Sequence, residues 1–92
     1  MMPKQVEDKK KMLLRVRRIK GQIQSLERAL EDDTACASIL QQICAIRGAT
    51  NGLMTELLEI HLKDTLVSGE TSEQDRAEEL VEISKILKSY LK

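Results

Sequence analysis

The sequence predicts an all-α fold with a three-helix protomer, and three observations carry that prediction. Leu, Ile, Met, Val and Ala supply nearly all of the 41% hydrophobic content, with Tyr90 the only aromatic and Pro3 the only proline. Apolar residues recur at spacings of three and four along three successive stretches, the period of one helix face. Capping residues and a glycine separate those stretches. Ninety-two residues make one small domain, taken as 1–92, with a marginal core of its own.

The first helix is expected over about 5–31. Met12, Val16, Ile19, Ile23, Leu26 and Leu30 alternate spacings of four and three and form an apolar seam. It stops at "EDD", where Asp32, Asp33 and Thr34 are each capable N-caps for the next helix. The second helix is expected over about 35–67. Ile39, Ile43, Ile46, Leu53 and Leu57 line one face, and Leu40, Met54, Leu58 and Leu62 widen it. Gly69 is a suitable stop, and Thr71 with Gln74 forms a capping-box pattern for a third helix over about 72–91. The third carries Ala77, Leu80, Val81, Ile83, Ile86, Leu87, Tyr90 and Leu91.

The second helix is too long for a lone chain of this size. About 31 residues at 1.5 Å rise span roughly 47 Å. A compact domain of this length has a radius of gyration of about 12 Å. Much of the apolar face therefore calls for a second copy, and two antiparallel hairpins forming a four-helix bundle are expected.

Net charge is zero, and the average conceals an asymmetry. From Lys4 to Lys20, eight basic residues face Glu7 and Asp8, a net +6; the rest of the chain carries −6. A basic head on an acidic body points to a polyanionic partner. No stretch approaches the roughly 18 apolar residues of a membrane span, and no signal-peptide pattern opens the chain. A cytoplasmic protein with no membrane partner is expected. Cys36 and Cys44 are then reactive, ligating or buried thiols, not a structural disulfide.

Cys36 and His61, the only histidine, are 25 residues apart on one helix, or about 37 Å along its axis. They meet only in an antiparallel pair of second helices crossing near residues 48 and 49. The sequence there holds Gly48, Ala49, Thr50, Asn51 and Gly52, and small residues suit close helix contact. Each mid-helix glycine costs roughly 1 kcal/mol against alanine. Such a dimer has two Cys36–His61 sites, each shared between copies. Zinc, nickel, cobalt or copper would want further donors, and Thr65, one turn beyond His61, is a poor ligand. Cys36 lies in the first turn of its helix, where the helix dipole favours an anionic group, so it also suits a nucleophile. Cys44 reads as a small core residue, and Met12 and Met54 as core filler. No carboxylate pair, nucleophile elbow or phosphate loop accompanies His61, so enzyme activity is not expected.

Lys11, Arg15, Arg18 and Gln22 repeat the 4-3-4 spacing one residue ahead of the apolar seam, flanked by Lys10 and Arg17. Such a row fits duplex phosphates, and Arg47 on the second helix is placed to join it. The scarcity of aromatics argues against single-strand binding by stacking. No short helix-turn-helix is present, so no major-groove recognition helix is expected. A helical scaffold with a merely solvated basic face is the alternative.

"RVRRIKGQIQSLERAL", Cys36, "LQQICAIRGATNGLM" and "EIHLKDT" together resemble the bacterial CsoR/RcnR/FrmR family of small helical repressors, over nearly the whole chain. The resemblance implies a dimer of antiparallel dimers, binding to double-stranded promoter DNA, and repression of efflux or detoxification genes. It also implies that an inducer at the dimer interface lowers DNA affinity, by a coupling of about 1–3 kcal/mol. Copper sensors carry Cys, His, Cys, with the last at the position of Thr65; nickel–cobalt sensors carry a His there and another near the N-terminus. With Thr65 and no N-terminal His, this chain looks most like the formaldehyde-responsive branch. In that branch a cysteine thiolate and an N-terminal proline amine are joined by a methylene, which by position implies Cys36 and Pro3. "MMP" departs from that pattern, because Pro3 becomes an amine only if translation starts at Met2 and that methionine is removed; otherwise Met1 or Lys4 supplies the amine. A transition metal held by Cys36 and the second copy's His61 is the alternative inducer.

Overall fold

The computed structural model describes residues 5–68 and 73–90. Three helices account for all but residue 5 and residues 32–35 of them: α1 (Val6–Glu31), α2 (Cys36–Ser68) and α3 (Glu73–Tyr90). Each lies within two residues of its expected bounds, and no strand occurs among the described residues. Helix α1 opens on Gln5, whose carbonyl accepts the Lys9 N–H at 3.1 Å. Glu7 and Asp8 in its first turn and Arg28 in its last oppose the partial charges of the helix ends.

The turn between α1 and α2 corrects one expectation. Asp32, Asp33 and Thr34 finish α1 instead of opening α2. The Asp33 N–H bonds to the Leu30 carbonyl at 3.4 Å and the Thr34 N–H to the Ala29 carbonyl at 3.0 Å. With Asp33 at φ 53, this is the pair of bonds of a Schellman motif, Asp standing where Gly is usual. The Ala35 carbonyl accepts the first ladder bonds of α2, from the Ser38 and Ile39 N–H groups. Sequence reading missed this because Asp serves both an N-cap and, less often, a left-handed residue.

The chain divides into two compact units, residues 1–61 and 62–92. In the first, α1 and α2 run antiparallel. Arg15 pairs with Glu56, while Gln22 and Ser25 share a small cavity with Gln42 and Ala45. The face of α1 covered by α2 runs through Asp8, Met12, Ile19, Gln22, Leu26 and Ala29, with Arg15 in the same 4-3 register. The matching face of α2 runs through Ile39, Gln42, Ile46, Ala49, Leu53, Glu56 and Ile60. Apolar and polar layers thus alternate along the seam, and a polar layer fixes which residues face each other.

The expected apolar seam of α1 is therefore split. Met12, Ile19 and Leu26 are half-buried against α2, but Val16, Ile23 and Leu30 are about half exposed. On α2, Leu40 and Ile43 are likewise open. Ala29 and Ile60 are the only buried hydrophobic residues among those described, and no large side chain is fully enclosed. The structure is thus that of a chain whose most apolar stripe points away from its own hairpin.

In the second unit, α3 turns Arg76, Glu79, Ile83 and Leu87 to a covered side. Leu80, Val81, Ile86 and Tyr90, counted among its apolar positions, are exposed. Val81 lies on the far side of the helix from Ile83 and Leu87, whereas Leu80, Ile86 and Tyr90 flank that covered stripe and remain open. Gly69, Thr71 and Leu91 lie outside the described residues; Gln74 donates from its side-chain amide to Glu78 at 3.5 Å. Among the described residues no helix is long and apolar enough to cross a membrane.

Candidate functional site

The basic row on α1 divides when its side chains are followed. Lys11, Arg17 and Arg18 are exposed, as is Arg47 on α2. Lys11, Arg15 and Arg18 line one groove of about 280 Å³ together with Leu14 and Glu56. Arg15 donates from Nε to Glu56 Oε2 and forms an ion pair with it. Its guanidinium also lies across Gly52, where a Cβ would stand 3.0 Å from Arg15 Nη1. Gln22 differs from the rest: it is half-buried in the hairpin, and its Oε1 and that of Gln42 are enclosed without a protein hydrogen-bond partner. The three cations share a surface with each other and not with Gln22.

Glu56 and Gly52 were not singled out from the sequence as partners of this row. The signal was present in their spacing. They stand one turn apart on α2, and seven-residue steps from Arg15 lead to Asp8 and Gln22, which also face the hairpin. A polar residue at every seventh position within the 4-3 register of an apolar seam marks a polar layer, not a solvated stripe.

Gly52 also has a local reason to be glycine, which the sequence reading had assigned to a crossing of second helices. A Cβ at Gly48 would meet nothing within 4 Å. Of the two α2 glycines, Gly48 is the one that faces open space.

Cys36 is the first residue of α2 and is exposed. Cys44, expected in the core, is exposed as well. The covered face of α2 uses positions 39, 42, 46 and 49, so residue 44 points elsewhere. Met12 and Met54 are half-buried, as filler residues are. His61 is 4% exposed, at the far end of the hairpin from Cys36. Asp8, two turns before Arg15 on α1, is also buried, and both groups are engaged by polar or electrostatic partners. Asp64 is buried in the second unit.

Within one chain the structure does not bring Cys36 and His61 together. Among the described residues no group of three or more His, Cys, Asp or Glu side chains is arranged to hold a metal ion. Two donors drawn from two copies leave a four-coordinate ion short of ligands. Pro3 lies outside the described residues, and Thr65 is described only as part of α2.

The hairpin thus carries a basic groove, an exposed thiol at one end and a buried imidazole at the other. The chain belongs to the family described as metal-sensitive transcriptional repressor, whose family model matches residues 8–89. It is thus a transcriptional repressor of the CsoR/RcnR/FrmR family. It is 48% identical over 85 residues to an uncharacterised protein in the bioA 5′ region of Serratia marcescens, covering 92% of this chain and 93% of that one. It is 44% identical over 87 residues to the transcriptional repressor RcnR of Salmonella paratyphi B, covering 95% of this chain and 96% of that one. A variant of the formaldehyde-responsive regulator FrmR from Salmonella enterica serovar Typhimurium superposes with a TM-score of 0.85 at 59% identity, covering 96% of this chain and 99% of that one. The resemblance read from "RVRRIKGQIQSLERAL" and the motifs after it thus places the chain in the right family.

Proposed function

We propose that this repressor acts on a detoxification operon and is released from its promoter by formaldehyde reacting at Cys36. The observation that carries this reading is the exposed Cys36 thiol at the first residue of α2, without a cluster of metal donors around it among the described residues. The likeness to the formaldehyde-responsive regulator supports it. In the reaction, formaldehyde adds to an N-terminal amine and loses water to give an iminium carbon, which the Cys36 sulfur attacks. Overall, amine, thiol and formaldehyde give an N–CH2–S bridge and one water, which carries off the amine and thiol protons and the aldehyde oxygen. Pro3 supplies the amine when it is the first residue; otherwise Met1 or Lys4 does.

Duplex binding rests on Lys11, Arg15, Arg17, Arg18 and Arg47, with Gln22 supporting the seam from inside. Val16, Ile23 and Leu30 of α1 with Leu40 and Ile43 of α2 form the contact to a second copy. Full burial of such side chains contributes about 1.5–3 kcal/mol each, and these are about half exposed in the single chain. An antiparallel dimer brings the second copy's His61 toward Cys36, and two dimers form the tetramer that presents four basic rows to DNA. A cytoplasmic location follows from action on promoter DNA.

A second reading keeps the DNA role and makes the inducer Zn, Ni, Co or Cu at Cys36 and His61 of the second copy. The likeness to RcnR and the family's description favour it. Titrating the protein into a labelled duplex from its own promoter separates the two. Salt-sensitive binding that formaldehyde releases in wild type but not in Cys36→Ala supports the aldehyde reading. Release by a metal salt and not by formaldehyde overturns it in favour of the metal. A duplex that never binds returns the chain to a helical scaffold with a solvated basic face.

A further inference from the structure

We infer that Glu56 is an internal stand-in for a DNA phosphate: it holds Arg15 in the free protein and gives it up when a duplex backbone enters the groove. The inference rests on the DNA-binding reading above. Arg15 sits between Lys11 and Arg18 in the groove, the middle cation of three, where a phosphate would be most strongly attracted. Its Nε–H is already donated to the Glu56 carboxylate, and its Nη1 lies over Gly52. Among the described residues Glu56 is the only acid lining that groove.

The geometry offers a berth suited to exchange. The Glu56 side chain is 17% exposed and the Arg15 side chain 47%, so the carboxylate is fixed in the hairpin while the guanidinium stays within reach of solvent. A carboxylate and a phosphate oxygen ask the same thing of an arginine fork, a planar pair of N–H donors. Both cannot occupy one face of the fork without like charges meeting. A duplex phosphate therefore either draws Arg15 off Glu56 or meets a groove whose charge Glu56 has reduced from +3 to +2. Ion pairs with this much exposure are weak enough for such an exchange.

Gly52 belongs to the same device. Placed one turn before Glu56, it leaves room for the end of the guanidinium; a Cβ there would stand 3.0 Å from Nη1. Because the competition concerns backbone phosphate, it acts on affinity for any duplex and not on the choice of sequence. Glu56 lowers non-specific binding and so confines the repressor to sites where other contacts make up the difference.

Fluorescence anisotropy with a promoter duplex and a scrambled duplex, each over a range of salt concentrations, tests this. Glu56→Gln keeps the shape and removes the charge. It is expected to tighten binding to both duplexes roughly five- to tenfold at 0.1 M salt for each Arg15 engaged, and to steepen the log–log salt slope by about 0.9. In the Arg15→Gln background the same change is expected to do nothing. Glu56→Asp, which withdraws the carboxylate but keeps its charge, is expected to fall between wild type and Glu56→Gln. An unchanged slope in both Glu56 variants overturns the proposal, as does a gain that survives in Arg15→Gln, which would mark a general field effect. If neither wild type nor Glu56→Gln binds any duplex at low salt, the DNA reading itself fails, and this proposal with it.

Discussion

Gly48→Ala separates the physics of one chain from that of the proposed dimer, because the two predict opposite signs. Within the chain, Gly48 is an exposed residue in the middle of α2, and a Cβ there meets nothing within 4 Å. Alanine is favoured over glycine in a helix interior by about 1 kcal/mol. For one chain of this size that would raise the melting temperature by about 4–8 °C. If two copies of α2 cross near residues 48 and 49, the added methyl group instead meets the second helix. Overpacking of that kind costs about 1–3 kcal/mol. Subtracting the helix gain leaves a net loss of up to about 2 kcal/mol per chain. The account predicts a lower melting temperature by circular dichroism, steeper dependence on protein concentration, and a smaller species in sedimentation velocity. A higher melting temperature with unchanged sedimentation would refute the crossing at Gly48. Gly52→Ala is the internal comparison: its methyl group meets the flexible end of Arg15 at 3.0 Å, so its effect is expected at the level of the hairpin and not of the assembly.

Further predictions concern the turn and the histidine. Asp33→Gly removes a side chain from a left-handed residue at φ 53 and is expected to stabilise the protein by about 1 kcal/mol, read as a rise in the urea midpoint with no change in slope. Asp33→Val at the same position is expected to destabilise it, since a β-branched residue tolerates that backbone poorly. His61→Leu, measured by competition with a chromophoric chelator, is expected to weaken binding of Ni, Co, Cu or Zn while leaving the formaldehyde adduct at Cys36 intact. Loss of the adduct together with loss of metal binding would tie both inducers to one site.

The fold was largely legible because spacing alone fixes it. The three-four repeat of Met12, Val16, Ile19, Ile23, Leu26 and Leu30 marks α1, and the absence of proline from residue 35 to 67 allows one long α2. Less legible was which side of each helix meets which neighbour. Val16, Ile23 and Leu30 are as apolar as Met12, Ile19 and Leu26, and nothing in the pattern says which row the chain covers itself. Arg15 and Gln22 looked like members of a solvated basic row because charge suggests exposure. The long side chain of Arg15 reaches a carboxylate on α2, and Gln22 turns its amide into the seam. Cys44 looked like core for the converse reason: a small apolar residue is usually buried, but its position on α2 points away from α1. The pairing of Cys36 with a second copy's His61 came from spacing and the resemblance, and a single chain holds the two at opposite ends of the hairpin.

The central claim, aldehyde capture between Cys36 and an N-terminal amine, is tested most directly by intact-mass analysis with fragment mapping after brief exposure to formaldehyde. The account predicts a gain of about 12 Da for each methylene bridge formed from amine and thiol with loss of water. The added mass should map to a cross-link between Cys36 and the N-terminal residue, persist in Cys44→Ala and vanish in Cys36→Ala. No adduct, or one that survives in Cys36→Ala, would contradict it.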